Sequence, residues 1–259
     1  MGDICRVCKT LTIKLFTAEL LGCAVQYFEC SRCGYVQTES PFWLDRAYSM
    51  AINDSDTGIM WRNRVNTQIV LMTLLALRVT KERVVDFAGG YGLLVRQLRD
   101  LGVDALWRDK YCTNLVARGF EHKDEPAILV TAFEVFEHLV EPVEALEYML
   151  TIAPNVLLST EIMPTPCPAQ CDWWYYGREH GQHVGFYRLR TLQSMAVSFG
   201  CRLLTDGHTY HLITRDRIPA LVWQCGLKVR QLAPLFARLL LNSKTLQDHD
   251  LMVSDTGSK

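Results

Sequence analysis

Apolar residues in this chain fall into short runs and helical stripes that alternate along its middle. "IMWRNRVNTQIVLMTLLALRV" (59–79) carries apolar positions at helical spacing and predicts a buried helix. "VVDF" (84–87) reads as a short strand, and residues 93–101 repeat with a helical period. "VDALWRDKY" supplies a second strand ending at Asp109, "AILVTA" is a buried strand read as the fourth, and "NVLLSTEIMP" (155–164) a fifth. "TLQSMAVSFG" is a helix closed by Gly200, and "CRLLTDGHTYHLITRD" reads as two strands joined near Gly207. Strands alternating with helices predict an α/β fold around an open, mostly parallel sheet. "DSDTG" (54–58) is a loop signal. At the C-terminal end, "IPALVWQCGLKVRQLAPLFARLLLNSKTLQDHD" predicts a helix docked on the domain or on a second copy, followed by a frayed "SDTGSK".

The step from "VVDF" into the next helix carries the first chemistry. "AGGYG" joins strand to helix, as in the opening of a nucleotide-binding βαβ unit. Its glycines are Gly89, Gly90 and Gly92, without the G-x-x-G half that seats a pyrophosphate on a helix N-terminus. Asp86, just ahead of the turn, would repel a phosphate and suit an ammonium group. Asp109, about 20 residues downstream of the turn, can accept both hydroxyls of a ribose; the alternative is a loop carboxylate capping the next helix. A ligand with an amino-acid end, an adenosine end and no phosphate fits, which is S-adenosyl-L-methionine.

The first 40 residues add a second site. Cys5 and Cys8 form one Cys-x-x-Cys pair, and Cys30 and Cys33 a second one followed by Gly34. Four thiolates at this spacing complete a closed tetrahedral zinc site with no ligand to spare, so the zinc is structural. Cys23 lies between the pairs and is read as a packing residue.

Composition narrows the partners. Of 259 residues, 49% are hydrophobic and 21% charged, and the net charge is −1, so no global field draws in nucleic acid or anionic lipid. Ten cysteines without an apolar leader place the chain in a reducing compartment, read as cytoplasmic. No stretch is long enough to span a bilayer.

"VVDFAGGYG" taken with "AFEVFEHL" resembles the class I S-adenosylmethionine-dependent methyltransferases over about residues 65–215. The family's first turn glycine is Ala88 here, and the short stretch from Asp109 to Ala127 abbreviates the usual third strand. The resemblance implies a Rossmann-like sheet with an antiparallel edge hairpin. It also implies cofactor contacts from Asp86, Ala88, Gly89, Gly90, Gly92, Asp109, Phe133 and Glu134. The cysteine preface and "WWYYGREHGQHVGFY" further resemble a subgroup associated with sugars and secondary metabolites. The expected organisation is a zinc-ribbon-like module (1–45), a helical connector (46–80), the methyltransferase domain (81–215) and a C-terminal helix and tail (216–259). The expected acceptor is a small molecule or glycan, methylated at oxygen, with a homodimer as one assembly. The alternatives are a nucleic-acid 2′-O-methyltransferase, disfavoured by charge, and a non-catalytic interaction module.

Two segments are candidates for acceptor chemistry. "MPTPCPAQCDWWYYGREHGQHVGFYRLR" (163–190) is a long segment whose aromatics could wall an acceptor site. Its Glu179, His180 and His183 offer acid–base groups, the histidines being the better candidate bases. "FEVFEHLVEP" (133–142) presents Glu134, Glu137 and His138 at a strand end. These are read in three ways: as local caps with Glu137 and His138 starting a helix, as an acid–base group led by His138, or as ligands of Mg²⁺ or another divalent cation, with His180 or His183 completing the set. The third reading follows the resemblance of Glu-x-x-Glu-His to the metal motif of small-RNA 2′-O-methyltransferases and ubiquinone-pathway O-methyltransferases.

Overall fold

The computed structural model describes residues 3–48 and 56–256, so Asp54 and Ser55 of the predicted loop and the last three residues of the predicted frayed end lie outside it. The N-terminal part supplies β1 (Thr12–Leu20), β2 (Cys23–Cys30), β3 (Val36–Thr38) and α1 (Leu44–Ala47). The middle follows with α2 (Ile59–Leu77), β4 (Arg83–Phe87), α3 (Leu93–Asp100), β5 (Asp104–Arg108) and β6 (Leu129–Phe133). Then come α4 (Pro142–Ile152), β7 (Asn155–Ser159), β8 (Gly185–Phe186), α5 (Leu189–Ser198), β9 (Arg202–Thr205) and β10 (Tyr210–Thr214). The chain closes with α6 (Ala220–Lys228), α7 (Ala233–Leu240) and α8 (Thr245–Thr256).

A six-stranded sheet runs in the order β5-β4-β6-β7-β10-β9. β4 pairs in parallel with β5 and β6, and β9 pairs antiparallel with β10 across the Gly207 turn. This is the Rossmann-like, mostly parallel sheet with an antiparallel edge hairpin that the alternating pattern and the resemblance predict. The third strand is abbreviated as expected. Among the described residues, 109–127 contribute only one parallel bridge, Trp107 to Glu121.

The chain divides into two compact units. The first holds Met1–Ala51, Phe133–Thr151 and Leu158–Arg215. Its second sheet has the order β1-β2-β3-β8, so the short strand of the aromatic segment completes the sheet begun by the cysteine-bearing residues. Tyr27, Tyr175, Tyr176 and Phe186 are fully buried on that sheet with Leu20, Val25 and Val36. The aromatics at 175, 176, 186 and 187 are therefore core rather than the acceptor wall suggested by the sequence; Trp174 is the exposed one, at 76%. Burial of several large rings is the main driving force this small sheet has available. Cys23 packs against the same core, as its position between the pairs suggested.

The second unit holds Ile52–Ala132, Ile152–Leu157 and Asp216–Lys259. α2 buries Ile69, Val70, Leu71 and Leu74, and no described helix is long and apolar enough to cross a membrane. Three helices follow Asp216 where a single one was expected, because Arg230–Leu232 tightens into a 3-10 turn and Leu241 leaves helical geometry. Trp223, Leu227, Ala233 and Ala237 are the buried positions of α6 and α7. α8 is tied down by Asp248, whose carboxylate takes two bonds from Arg99 at 2.7 and 2.8 Å and one from Arg96 at 2.9 Å. Removing one partner of such a buried pair leaves an uncompensated charge.

Candidate functional site

In the second unit the strand–turn–helix predicted at 84–101 is present, and its backbone shows why glycine recurs. Ala88, Gly90 and Gly92 all have positive φ, at 58°, 54° and 86°. Ala88 thus adopts a left-handed conformation that costs an L-residue roughly 1–2 kcal/mol, where the family places glycine. The turn is clamped between strands: Gly89 N–H donates to Arg108 O at 3.2 Å, and the Trp107 indole donates to Gly90 O at 2.9 Å. A Cβ on Gly92 would stand 2.8 Å from Asn114 Oδ1 and 3.0 Å from Ala117 Cβ. Gly92→Ala should therefore cost about 2–4 kcal/mol, the left-handed penalty plus overpacking. Gly207→Ala, with positive φ but nothing within 4 Å, should cost only the backbone share. Urea unfolding of the two variants checks the difference; equal losses would contradict it.

Asp86 and Asp109 flank the turn. Asp86 is buried and accepts the Thr131 hydroxyl at 2.7 Å. Burial pushes its carboxyl up to about 7; the Thr131 bond opposes this and the Asp109 charge adds to it. The native carboxyl therefore keeps its proton to about pH 7, while an unfolded aspartate releases it at its ordinary 3.8. Between those values the native state binds the extra proton, so Asp86 reduces stability as pH rises from about 4 to 7. Asp86→Asn should flatten that slope in urea titrations at pH 5 and 7.5, and an unchanged slope would contradict the assignment. Asp109 accepts Gly90 N–H through Oδ2 at 2.9 Å, and Tyr111 and Cys112 N–H through Oδ1 at 2.7 and 2.8 Å. It caps a turn and closes the glycine loop at once, so the capping alternative and the ligand reading share one geometry.

In the first unit the four cysteines converge. Cys5 and Cys33 sulfurs lie 3.6 Å apart, Cys8 and Cys30 3.4 Å, and one ligand atom from each residue lies within 4.8 Å of the others. All four are free thiols. Cys8 N–H points at Cys5 Sγ and Cys33 N–H at Cys30 Sγ, both at 3.5 Å, which is how each pair wraps its backbone around a shared point. These sulfurs fit a tetrahedral zinc with none left over. Arg6 inside the first pair donates to Thr38 O at 2.9 Å and Glu39 O at 3.0 Å, fastening the knuckle to β3.

The residues after β6 take three different paths. Phe133 meets Tyr210 edge-on at 6.1 Å between centroids. Glu134 has a φ of +53°, donates its N–H to Ser159 Oγ at 2.8 Å and accepts the same hydroxyl at 2.6 Å. Glu137 and His138 do not start a helix: they lie in a 3-10 turn, Phe136–His138, and α4 begins only at Pro142. That turn is held by Tyr187, whose hydroxyl donates to Phe136 O at 2.8 Å, and by Val184 N–H donating to Glu137 O at 2.8 Å. As a result Glu137 faces inward and is fully buried, with neither carboxylate oxygen hydrogen-bonded. The Tyr175 and Thr160 hydroxyls lie near enough to act on it as donors that lower its carboxyl, though outside strict hydrogen-bond geometry. Burial, with the Glu134 charge, raises its carboxyl well above the usual range.

Beside Glu137 stand His138 and His183, their rings 4.8 Å apart and nearly perpendicular. His183 Nδ1–H donates to Tyr175 O at 2.6 Å. His138 Nδ1 lies 3.2 Å from Gln182 O and 3.0 Å from the Tyr48 hydroxyl. A carbonyl can only accept, so each Nδ1 carries the proton and each Nε2 keeps a lone pair. Burial holds His138 down at about 4 and His183 well below its ordinary value, so both are neutral at pH 7. His180 has the opposite tautomer: its Nδ1 accepts Gln182 N–H at 3.1 Å, which puts the proton on Nε2. Glu179 is exposed and lines a shallow surface depression with Trp174 and Arg178. The structure thus gathers Glu137, His138 and His183, and sets Glu134 on Ser159. The inward turn of Glu137 left no trace in the sequence beyond its alternation with apolar Phe136.

A family model described as a methyltransferase domain matches residues 60–206. No curated protein matches the chain in sequence. Among solved structures, the chain is similar to magnesium protoporphyrin IX methyltransferase from Synechocystis PCC 6803 with bound SAH. That match has 13% identity and a TM-score of 0.42, covering 66% of this chain and 90% of that one. It is also similar to an O-methyltransferase family protein from Burkholderia thailandensis, at 16% identity and a TM-score of 0.46, covering 67% of this chain and 63% of that one.

Proposed function

Because the chain belongs to the methyltransferase domain family, we propose that it transfers the methyl group of S-adenosyl-L-methionine to an oxygen of a small-molecule acceptor. The observation that carries the donor is the trio of Asp86, the glycine turn and Asp109. Asp86 lies where an ammonium group would draw it back to its charged form, which offsets the cost of its burial. Gly89 keeps the approach to Asp86 free, since a Cβ there would stand 2.8 Å from Asp86 Oδ2. Asp109 gives Oδ1 to Tyr111 and Cys112 and one lone pair of Oδ2 to Gly90, which leaves one Oδ2 lone pair for a ribose hydroxyl. Glu134 and Phe133 remain candidates for further cofactor contacts from the strand end.

Within the first unit the acid–base candidates are Glu137, His138 and His183. His183 Nε2, held as a lone pair by the bond from Nδ1 to Tyr175, is a better proton acceptor than His180, whose Nε2 already carries a proton. Near-neutral net charge supports a small-molecule acceptor over nucleic acid, since phosphate-tracking surfaces need a cationic excess. The four cysteines fit a structural zinc, and their role is to hold the sheet on which β8 places His183. Calorimetric titration with S-adenosylmethionine tests the donor: one equivalent per chain is expected, and no binding would sink the reading.

A further inference from the structure

We infer that Glu137, His138 and His183 form a binding site for one first-row divalent cation, distinct from the four-cysteine site. Glu137 is fully buried and both its oxygens lack hydrogen-bond partners, a costly arrangement for a carboxylate. Beside it stand two imidazoles whose Nδ1 atoms are engaged by the carbonyls of Gln182 and Tyr175, which leaves each Nε2 as the available ligand atom. Without a cation, burial keeps the Glu137 carboxyl protonated well above its usual range. A cation would replace that proton and take up the carboxylate and both imidazoles at once.

The geometry agrees with that role. One ligand atom from each residue lies within 4.8 Å of the other two. A cation about 2.1 Å from each ligand would bring them to roughly 3–3.5 Å apart, a contraction that side-chain rotation can supply. The bonds from Nδ1 to backbone carbonyls are the outer partners that fix ring orientation and tautomer in metal-bound histidines. Tyr48, at 3.0 Å from His138 Nδ1, adds a second such partner. Glu134 is not part of the set, because its carboxylate is engaged by Ser159. His138 is only partly buried, which gives the site its opening to solvent.

The donor set selects the metal. One carboxylate and two imidazoles, with no thiolate, suit Mn²⁺, Fe²⁺, Co²⁺ or Zn²⁺ more than Mg²⁺, which prefers oxygen ligands. Three protein ligands leave positions open for an acceptor's oxygen. A bound cation would take the His183 Nε2 lone pair, so the base role given to His183 above belongs to the cation-free cluster, and the cation would instead lower the pKa of a hydroxyl held beside it. The site itself does not rest on the methyl-donor reading, since all its ligands belong to the first unit.

The test uses the full chain, dialysed against a mild chelator, with the ribbon zinc verified at one equivalent by elemental analysis. Mn²⁺ is then titrated and the free ion followed by electron paramagnetic resonance. One equivalent of Mn²⁺ should bind the wild type, and Glu137→Gln and His183→Ala should each weaken it by more than about 10–100-fold while ribbon zinc stays at one. Wild-type protein that binds no Mn²⁺ at millimolar concentration overturns the inference, as do variants that retain wild-type affinity. Should a variant fail to fold, Co²⁺ added to zinc-loaded wild type decides. Visible bands of a nitrogen–oxygen site support the inference, and their absence overturns it. S-adenosylmethionine titrated into the same samples keeps the readings apart: cofactor binding without Mn²⁺ binding defeats only the cation site, and the reverse defeats only the donor.

Discussion

Cys30→Ser is expected to cost the chain its folded first unit. Cys30 faces Cys8 at 3.4 Å and receives the N–H of Cys33, so its loss opens one corner of a site that has no spare ligand. Structural zinc contributes about 10–16 kcal/mol in small zinc-binding folds, comparable to the roughly 5–15 kcal/mol by which whole domains are stable. The consequence reaches beyond the ribbon, because β3 pairs with β8 two residues after His183. Zinc content should fall from one equivalent to near zero, with loss of near-ultraviolet circular dichroism from the tyrosine-rich core. A strong chelator should reproduce the effect on the wild type. A well-folded, zinc-free variant would show that the four thiols are ordinary buried cysteines.

The second large effect is expected at Asp109→Ala. The carboxylate accepts three backbone N–H groups, from Gly90, Tyr111 and Cys112, so its removal leaves three donors unpaired and loosens the glycine turn. It also deletes the proposed acceptor for a ribose hydroxyl. A hydrogen bond to a charged group is worth about 1.5–3 kcal/mol. That corresponds to about 10–100-fold in cofactor affinity. Calorimetry should show that loss together with a lower melting temperature. A variant that melts earlier but binds S-adenosylmethionine normally would reduce Asp109 to a capping residue.

What the sequence made legible was local. The strand, glycine turn and helix at 84–101, the hairpin around Gly207 and the two cysteine pairs each depend on residues within about 20 positions of one another. Periodicity and turn chemistry report such features directly. The abbreviated third strand was legible for the same reason, since too few residues separate Asp109 from Ala127.

What escaped were pairings between distant segments. β3 and β8 lie about 150 residues apart, and no local pattern announces that two residues, Gly185 and Phe186, complete a sheet begun at the N-terminus. Without that pairing, Tyr175, Tyr176, Phe186 and Tyr187 look like the wall of an open site; with it, they are the core. The same blindness applies to Glu137. A Glu-x-x-Glu-His spacing puts Glu134 and Glu137 on equal terms, and only the fold shows that Ser159 takes one and that the other turns inward beside His183. Three of the six candidate residues in those two segments thus converge, by contacts spanning 45 residues.

The proposed reaction moves a methyl group from S-adenosylmethionine to a small molecule. Isotope-labelled cofactor is incubated with the protein and a cell extract, which is then separated into metabolite, nucleic-acid and protein fractions. Label is expected in the metabolite fraction as an alkali-stable methyl ether, abolished by Asp109→Ala. Label confined to nucleic acid or protein, or cofactor binding with no label transferred to any fraction, would contradict it.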